Sequence, residues 1–323
     1  MRTDSKVFVA GHRGLAGSAI LRELERRGYS RTLLRSHAEL DLCDPVAVED
    51  FFRRERPEVV FLAAAKVGGI LANSRFPADF IEQNLAIQNN VIRSARRFGV
   101  ARLLFLGSSC IYPRLAPQPL KEEYLLTGPL EPTNRPYAIA KIAGIEMCWA
   151  FNRQHGTRYL CAMPTNLFGP GDNYHPEHSH VLPALIRRMH EAKASGADRV
   201  VVWGSGTPRR EFLYSDDLAR ACVFLAGLGD AQFDKLLSAD QPPLINIGTG
   251  TDLPIRELAE LVARCTGFAG RIEFDTSKPD GTPRKLLDVS KVASLGWHAT
   301  IPLADGTRMA YECFLRESGH AVT

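Results

Sequence analysis

Short apolar runs alternate with amphipathic stretches along the first half of the chain. Val7-Phe8-Val9-Ala10, Thr32-Leu33-Leu34-Arg35, Val59-Val60-Phe61-Leu62 and the run from Arg102 to Gly107 have strand length. Between them lie helical patterns: one through Leu21 and Leu24, one from Asp44-Pro45 to about Arg56, and a long one from about Pro77 to Phe98. Asp44 suits a helix cap and Pro45 a first helical position. Strands alternating with helices in this way predict an α/β fold built on a doubly wound parallel sheet of the Rossmann kind. The alternation continues with a helix over 137–155, a strand from Arg158 to Thr165, a helix from Val181 to about Ala194, and a strand over Val200-Val201-Val202-Trp203. Ser215-Asp216-Asp217 starts another helix, and Leu244-Ile245-Asn246-Ile247-Gly248 reads as a strand returning to the main sheet. The expected division is a nucleotide-binding domain over 1–170 and a smaller C-terminal substrate-binding domain over 171–323, with the 244–248 strand crossing back.

Composition narrows the class without naming it. A chain of 323 residues, 45% hydrophobic and 24% charged, carries sizeable cores. Its formal net charge of +4 is small and spread, so no nucleic-acid partner is expected. The seven cysteines include no Cys-x-x-Cys pair, which argues against a zinc site or a disulfide framework and for a reducing cytoplasm. No apolar run reaches the ~18 to 20 residues of a membrane span, and no metal or membrane partner is expected.

The first strand ends in Gly11-His12-Arg13-Gly14-Leu15-Ala16-Gly17, followed by a helix. Strand, glycine turn and helix in that order let a pyrophosphate approach backbone N–H groups at the positive helix end. Where many such folds place an acid on the second strand to hold a ribose 2′-hydroxyl, this chain has Arg35, Ser36 and His37, and Arg13 adds a cation within the turn. Guanidinium groups match a 2′-phosphate, so the cofactor is expected to be NADP(H). The fourth strand delivers Ser108-Ser109-Cys110-Ile111-Tyr112-Pro113 to the carboxyl edge of the sheet, where ligands bind. Ser108 is the better hydrogen-bond donor to a substrate carbonyl, because on an extended chain Ser109 points the other way. A connection with six prolines, from Pro113 to Pro136, reads as a loop wrapped over the site. Beyond it Tyr137 and Lys141 stand four apart on one helix face. A nearby ammonium favours the phenolate and makes the phenol a better proton donor and acceptor near neutrality. Arg188 and Arg210 offer forked donors to a diphosphate, and Trp203 a flat apolar surface for a base or sugar. The second face of the 77–98 helix suits a subunit interface.

Taken together, Gly-x-x-Gly-x-x-Gly after strand one, Ser-Ser-x-x-Tyr after strand four and Tyr-x-x-x-Lys beyond resemble the extended short-chain dehydrogenase/reductases that act on nucleotide sugars. His12-Arg13-Gly14, Ala65-Lys66-Val67-Gly68-Gly69-Ile70, Glu131-Pro132-Thr133-Asn134, Met163-Pro164-Thr165-Asn166-Leu167, His178-Ser179-His180-Val181-Leu182-Pro183 and the run from Trp203 to Phe212 narrow the likeness to a branch acting on GDP-4-keto-6-deoxy-D-mannose. These blocks reach to about residue 217. The resemblance implies epimerisation at C3 and C5 followed by NADPH reduction of the C4 ketone, in a homodimer. It also implies Tyr137 as the acid with Lys141 and Ser108 beside it, Cys110 as base and His180 as acid of the epimerisation. It implies cofactor contacts at Leu106, Gly107, Ser108, Ser109, Lys141, Pro164, Thr165, Asn166, Leu167 and His180, besides the glycine turn. Asp280 resembles part of a substrate loop that meets a ribose, although its local pattern is equally that of a turn. On residue type alone Cys110 is a small buried apolar residue, and His175 and His178 compete with His180.

Other enzymes of the same family, and a non-catalytic protein, fit part of the pattern. A dehydratase of the same family carries an acidic pair where this chain has Ser109-Cys110. A 4-epimerase does not need Cys110 and His180. A non-catalytic cofactor sensor on the same fold has no need of Ser108, Tyr137 and Lys141 together.

Overall fold

The computed structural model describes residues 1–176, 178–278 and 280–317. Its centre is a six-stranded sheet built from β1 (Val7–Ala10), β2 (Thr32–Leu33), β3 (Val59–Leu62), β4 (Arg102–Leu106), β5 (Tyr159–Pro164) and a later strand, Leu244–Ile247. All neighbours are parallel, in the order β2-β1-β3-β4-β5 and then Leu244–Ile247. These strands are apolar on both faces because both faces are covered. Val7 and Val9 pack with Ile20 and Leu24 of α1 (Leu15–Arg26), whereas Phe8 and Ala10 pack with Phe51 and Phe52 of α2 (Pro45–Glu55). The Phe8 and Phe51 rings lie 4.6 Å apart. Each such side chain taken fully from water contributes about 1.5–3 kcal/mol.

Local sequence sets the helix ends. The Asp44 carboxylate accepts from Val46 N at 2.8 Å and Ala47 N at 3.2 Å, with Pro45 at the first position of α2; such a cap contributes about 1 kcal/mol. The expected strand over 32–35 is only two residues long. Arg35 instead turns its guanidinium to Leu34 O and to Glu55, and Ser36 is held by the Glu39 carboxylate, so the chain leaves the sheet early.

From β1 the chain first crosses to β2 and then returns to β3 on the other side of β1. The crevice at this switch lies outside the carboxyl ends of β1 and β3, which is where such sheets bind ligands. Next come α3 (Ile70–Arg75), α4 (Pro77–Arg97) and α5 (Arg135–His155), the last two packed on each other on one side of the sheet.

A second body follows. It contains β6 (Asn166–Phe168), α6 (Val181–Ala194), β7 (Arg199–Trp203) and β8 (Arg209–Tyr214), and its core joins Phe168, Ile186, Met189, Val200 and Phe212 to the helix Ile255–Thr266. Packing crosses the division expected at residue 170. The helix α7 (Ser215–Gly227) lies against α1, and its Leu218, Cys222 and Leu225 belong to the first core. Leu244–Ile247, now β9, extends the main sheet by pairing with β5 from Cys161↔Leu244 onward. The remaining strands are β10 (Asp252–Pro254), β11 (Arg271–Asp275), paired with β7, and β12 (Arg284–Lys285). Within this body β8 pairs with β6, β10 and β12.

Candidate active site

The glycine turn is tighter than its spacing alone requires. Gly11 has φ 89°, and a Cβ there would lie 2.7 Å from Ala64 N, beyond the end of β3. A Cβ on Gly17 would lie 2.1 Å from Gly11 O, so neither position tolerates a side chain. Gly14 caps α1 with extended backbone and no side chain fills the cap. The first N–H groups of α1 are therefore available to an anion, and the small-residue cradle permits its close approach. His12 is held below its ordinary pKa by burial and by Arg13, and its Nδ1 has no partner among the described residues. Leu15 and Ala16 are half-buried in the first turn.

The three cations expected at the 2′-phosphate differ in engagement. Arg13 is exposed, with no hydrogen bond or ion pair among the described residues. Arg35 spends one face on Glu55 at 2.9 Å, and His37 is 3.7 Å from Asp41. Glu39, which the sequence reading passed over, faces Arg13 and Arg35 but uses one oxygen on Ser36 N and Oγ, both at 2.7 Å. An acid therefore stands near the two arginines, and its carboxylate already has donors. These features fit a nicotinamide dinucleotide with a 2′-phosphate.

At the end of β4 the structure departs from the extended chain expected there. Ser108 is extended, but Ser109–Ile111 form one turn of 3₁₀ helix, with Cys110 N donating to Ser108 Oγ at 3.4 Å. Successive side chains therefore do not alternate at Ser109, and the turn buries Ser109 and Cys110 together. Gly107 is packed so that a Cβ would meet Met163 Cε at 2.0 Å. On α5, Lys141 donates to Leu106 O at 2.8 Å, and its Nζ stands 5.8 Å from the Tyr137 ring centroid. Phe80 meets that ring edge-on at 6.3 Å.

The expectation that Lys141 would draw the phenol toward ionisation is corrected by the burial. Desolvation pushes Tyr137 well above its usual value, Cys110 adds to the rise, and a hydrogen bond with Ser108 only partly opposes it. Burial also lowers Lys141 to about 8. The same holds for Cys110: burial raises the thiol, against the pull of Lys285, the Ser108 hydrogen bond and Lys141. In both cases low-dielectric surroundings outweigh a cation at this range.

His180 caps α6 and keeps solvent access, while partial desolvation and then Lys285 hold its imidazole below the ordinary value. His175 and His178 stack on each other at 4.5 Å. At the end of β5, Thr165 Oγ1 and Asn166 Nδ2 both bond Glu211 O, at 3.2 and 2.7 Å, tying Pro164, Thr165, Asn166 and Leu167 to β8.

The residues expected at the diphosphate and base are spread over the second body. Arg188 donates to Val201 O, Arg210 to Arg209 O at 2.7 Å, and Trp203 is 65% exposed with Lys278 Nζ 5.5 Å from its ring. Asp280, expected at a ribose, accepts from Ser205 N at 2.9 Å and Ser205 Oγ at 2.7 Å, and so holds the 204–206 turn closed. Lys285, which no motif singled out, lines one small cavity with Ser109, Cys110, Glu131 and Arg284. Its only sequence signal is a basic pair just after the Asp280 loop.

Comparison with known proteins places this arrangement. The NAD dependent epimerase/dehydratase family profile matches residues 7–247. The chain is 59% identical over 315 residues to a protein named putative GDP-L-fucose synthase 2 of Arabidopsis thaliana, covering 98% of this chain and 93% of that one. It is 57% identical over 315 residues to the GDP-L-fucose synthase of Escherichia coli K12, covering 97% of each. Among solved structures it is similar to a GDP-D-glycero-L-gluco-heptose synthase of Campylobacter jejuni determined in the presence of NADPH, with TM-score 0.90, 40% identity and coverage of 97% and 99%.

Proposed function

This chain belongs to the NAD dependent epimerase/dehydratase family, and we propose that it makes GDP-L-fucose from GDP-4-keto-6-deoxy-D-mannose, inverting C3 and C5 and then reducing the C4 ketone. The observation that carries the reading is the meeting of Ser108, Cys110 and Tyr137 at one strand end, with Lys285 bearing on both Cys110 and His180. High identity to relatives named for this synthesis supports the substrate. NADP(H) is the cofactor; bound in the glycine turn, it supplies the hydride that reaches C4.

The residues divide the remaining work. Hydrogens beside a ketone are acidic because the enolate spreads charge onto the carbonyl oxygen, and Tyr137 and Ser108 are donors suited to that oxygen. Cys110 as thiolate takes the proton from one face and His180 returns one to the other. A thiolate–imidazolium pair holds as many protons as a thiol–imidazole pair, so the two groups can exchange roles between C3 and C5. In the reduction Tyr137 gives its proton to the C4 oxygen. Arg188, Arg210 and Trp203 hold the GDP part, and Asp280 keeps the 204–206 turn beside it. A homodimer formed through the outward faces of α4 and α5, and a cytoplasmic location, belong to the same reading. No described helix is long and apolar enough to cross a membrane.

The test follows NADPH oxidation with the keto sugar in deuterated water. The wild type oxidises NADPH and its product carries deuterium at C3 and C5. Cys110→Ser loses deuterium incorporation by about a hundredfold or more. Oxidation without deuterium would instead favour a plain C4 reductase.

A second expectation concerns pH. With Lys141 lowered to about 8, its ammonium is present below that pH and lost above it. If it holds the nicotinamide ribose, NADPH affinity of the free protein falls roughly tenfold between about pH 7 and about pH 9, since a hydrogen bond from a charged group contributes about 1.5–3 kcal/mol. Fluorescence titration of bound NADPH reads this directly. In Lys141→Met the affinity is weaker and flat with pH; a flat wild-type curve would remove the ribose contact from Lys141.

A further inference from the structure

Lys285 stands on β12 in register with Arg210 of β8, and the chain is fixed on both sides of it. Arg284 pairs with the buried Asp252, Leu286 N donates to Gln118 Oε1 at 2.9 Å, and Leu287 N donates to Glu211 Oε2 at 2.9 Å. So held, the Lys285 side chain lines the cavity of Ser109, Cys110 and Glu131. Among the described residues its ammonium makes no hydrogen bond and no ion pair. A partly buried cation without a partner costs stability, which is tolerable where its charge meets another during the reaction. We propose that Lys285 is a positioning residue of the epimerisation, its ammonium being the counter-charge that lowers the cost of forming the Cys110 thiolate. This rests on Cys110 being the base.

The other charges around the thiol do not supply that counter-charge as freely. From α5, Lys141 gives a hydrogen bond to Leu106 O, and Tyr137 is a protonated phenol at neutral pH. From β8, Arg210 donates to Arg209 O, and Arg284 is taken by Asp252. Glu131 spends its carboxylate on Thr133 and Asn134 as a cap. Burial pushes the thiol up and the Lys285 ammonium down; against it, Lys285 is first among the groups pulling the thiol down and Cys110 first among those pulling the ammonium up. It also disfavours protonated His180 at the head of α6. In the step itself the thiolate takes the proton from the carbon beside the ketone, the C–H electron pair passes to the carbonyl oxygen as an enolate, and His180 returns a proton to the opposite face. Lys285 stabilises the charge that exists before the transfer.

Losing Lys285 thus has a directional signature. Both the thiol and the imidazole are released upward, so the bell of exchange rate against pH moves as a whole to higher pH. On its acid side, where His180 is already protonated, the rate drops about tenfold or more, as expected for loss of an opposite charge at close range. The experiment uses Lys285→Met and Lys285→Arg in the full chain, with thermal melts and NADPH binding to establish folding. It measures substrate deuterium exchange with NADP⁺ present, so that reduction does not intervene. Thiolate absorbance is titrated from about pH 6 to about pH 10, as the difference between each protein and its Cys110→Ser counterpart. The proposal expects both limbs and the absorbance titration to shift upward in Lys285→Met and to return toward the wild type in Lys285→Arg. A fixed bell and fixed titration, with only the KM for GDP-sugar raised, would make Lys285 a diphosphate ligand and overturn the proposal. If Cys110→Ser keeps wild-type exchange, the base assignment itself falls and Lys285 with it, whatever the absorbance does.

Discussion

Replacing Tyr137 by Phe stops ketone reduction and leaves the fold intact. The loss in NADPH turnover is about 10² to 10⁴-fold, the range for removing a positioned general acid, which is about 3 to 5 kcal/mol of barrier. Stability is spared because the ring keeps its edge-on contact with Phe80 and only the hydroxyl is deleted. The burial that pushes Tyr137 up fixes the sign of its action: at neutral pH it is a phenol with a proton to give, not a phenolate. The rate of the reduction step in the wild type is therefore not limited by phenolate formation near neutrality. Single-turnover NADPH decay, with a thermal melt on the same sample, checks both halves. Turnover within tenfold of the wild type would remove Tyr137 from the acid role.

The other large effect is on stability and comes from Glu211, a residue with no place in the chemistry. Its carboxylate is fully buried and accepts from Thr249 N at 2.6 Å, Gly250 N at 2.8 Å and Leu287 N at 2.9 Å. Those donors lie on the turn after β9 and on the chain leaving β12, so one side chain joins the returning strand of the main sheet to the strand that carries Lys285. In Glu211→Ala these N–H groups lose their acceptor. At about 1 to 3 kcal/mol for each buried donor left unmade, and with Thr249 and Gly250 able to reach water, the cost is about 3 kcal/mol. That corresponds to a fall of roughly 5 to 10 °C in melting temperature. Glu211→Gln keeps one acceptor oxygen but turns an NH₂ toward a backbone N–H, so it loses roughly half as much. A melting temperature for Glu211→Ala within a degree or two of the wild type would show that water replaces all three bonds.

Much of the first body was legible because its signals are local. A fully buried parallel strand must be apolar on both faces, so Val7–Ala10 and Val59–Leu62 announce themselves. Asp44-Pro45 carries its own cap, and Gly11 and Gly17 are glycine because backbone lies where a Cβ would be. The candidate site was legible in the same measure: Ser108, Cys110, Tyr137, Lys141 and His180 sit in recognisable short patterns. Two readings made from local geometry failed at Ser109 and Tyr137. The 3₁₀ turn replaced the alternation of an extended chain, and desolvation outweighed the nearby ammonium.

By itself, then, the sequence determined the alternation of strands and helices, the anion-binding turn and the types of chemical group available, since each depends on residues within a few positions of one another. Tertiary structure alone decided which charges face which. Glu55 takes Arg35, Asp252 takes Arg284, and Asp280 turns to Ser205, while Lys285 has no ion pair among the described residues and stands beside a thiol 175 residues earlier in the chain. Charge pairing and desolvation depend on distances across folded surfaces, and no spacing along the chain encodes them.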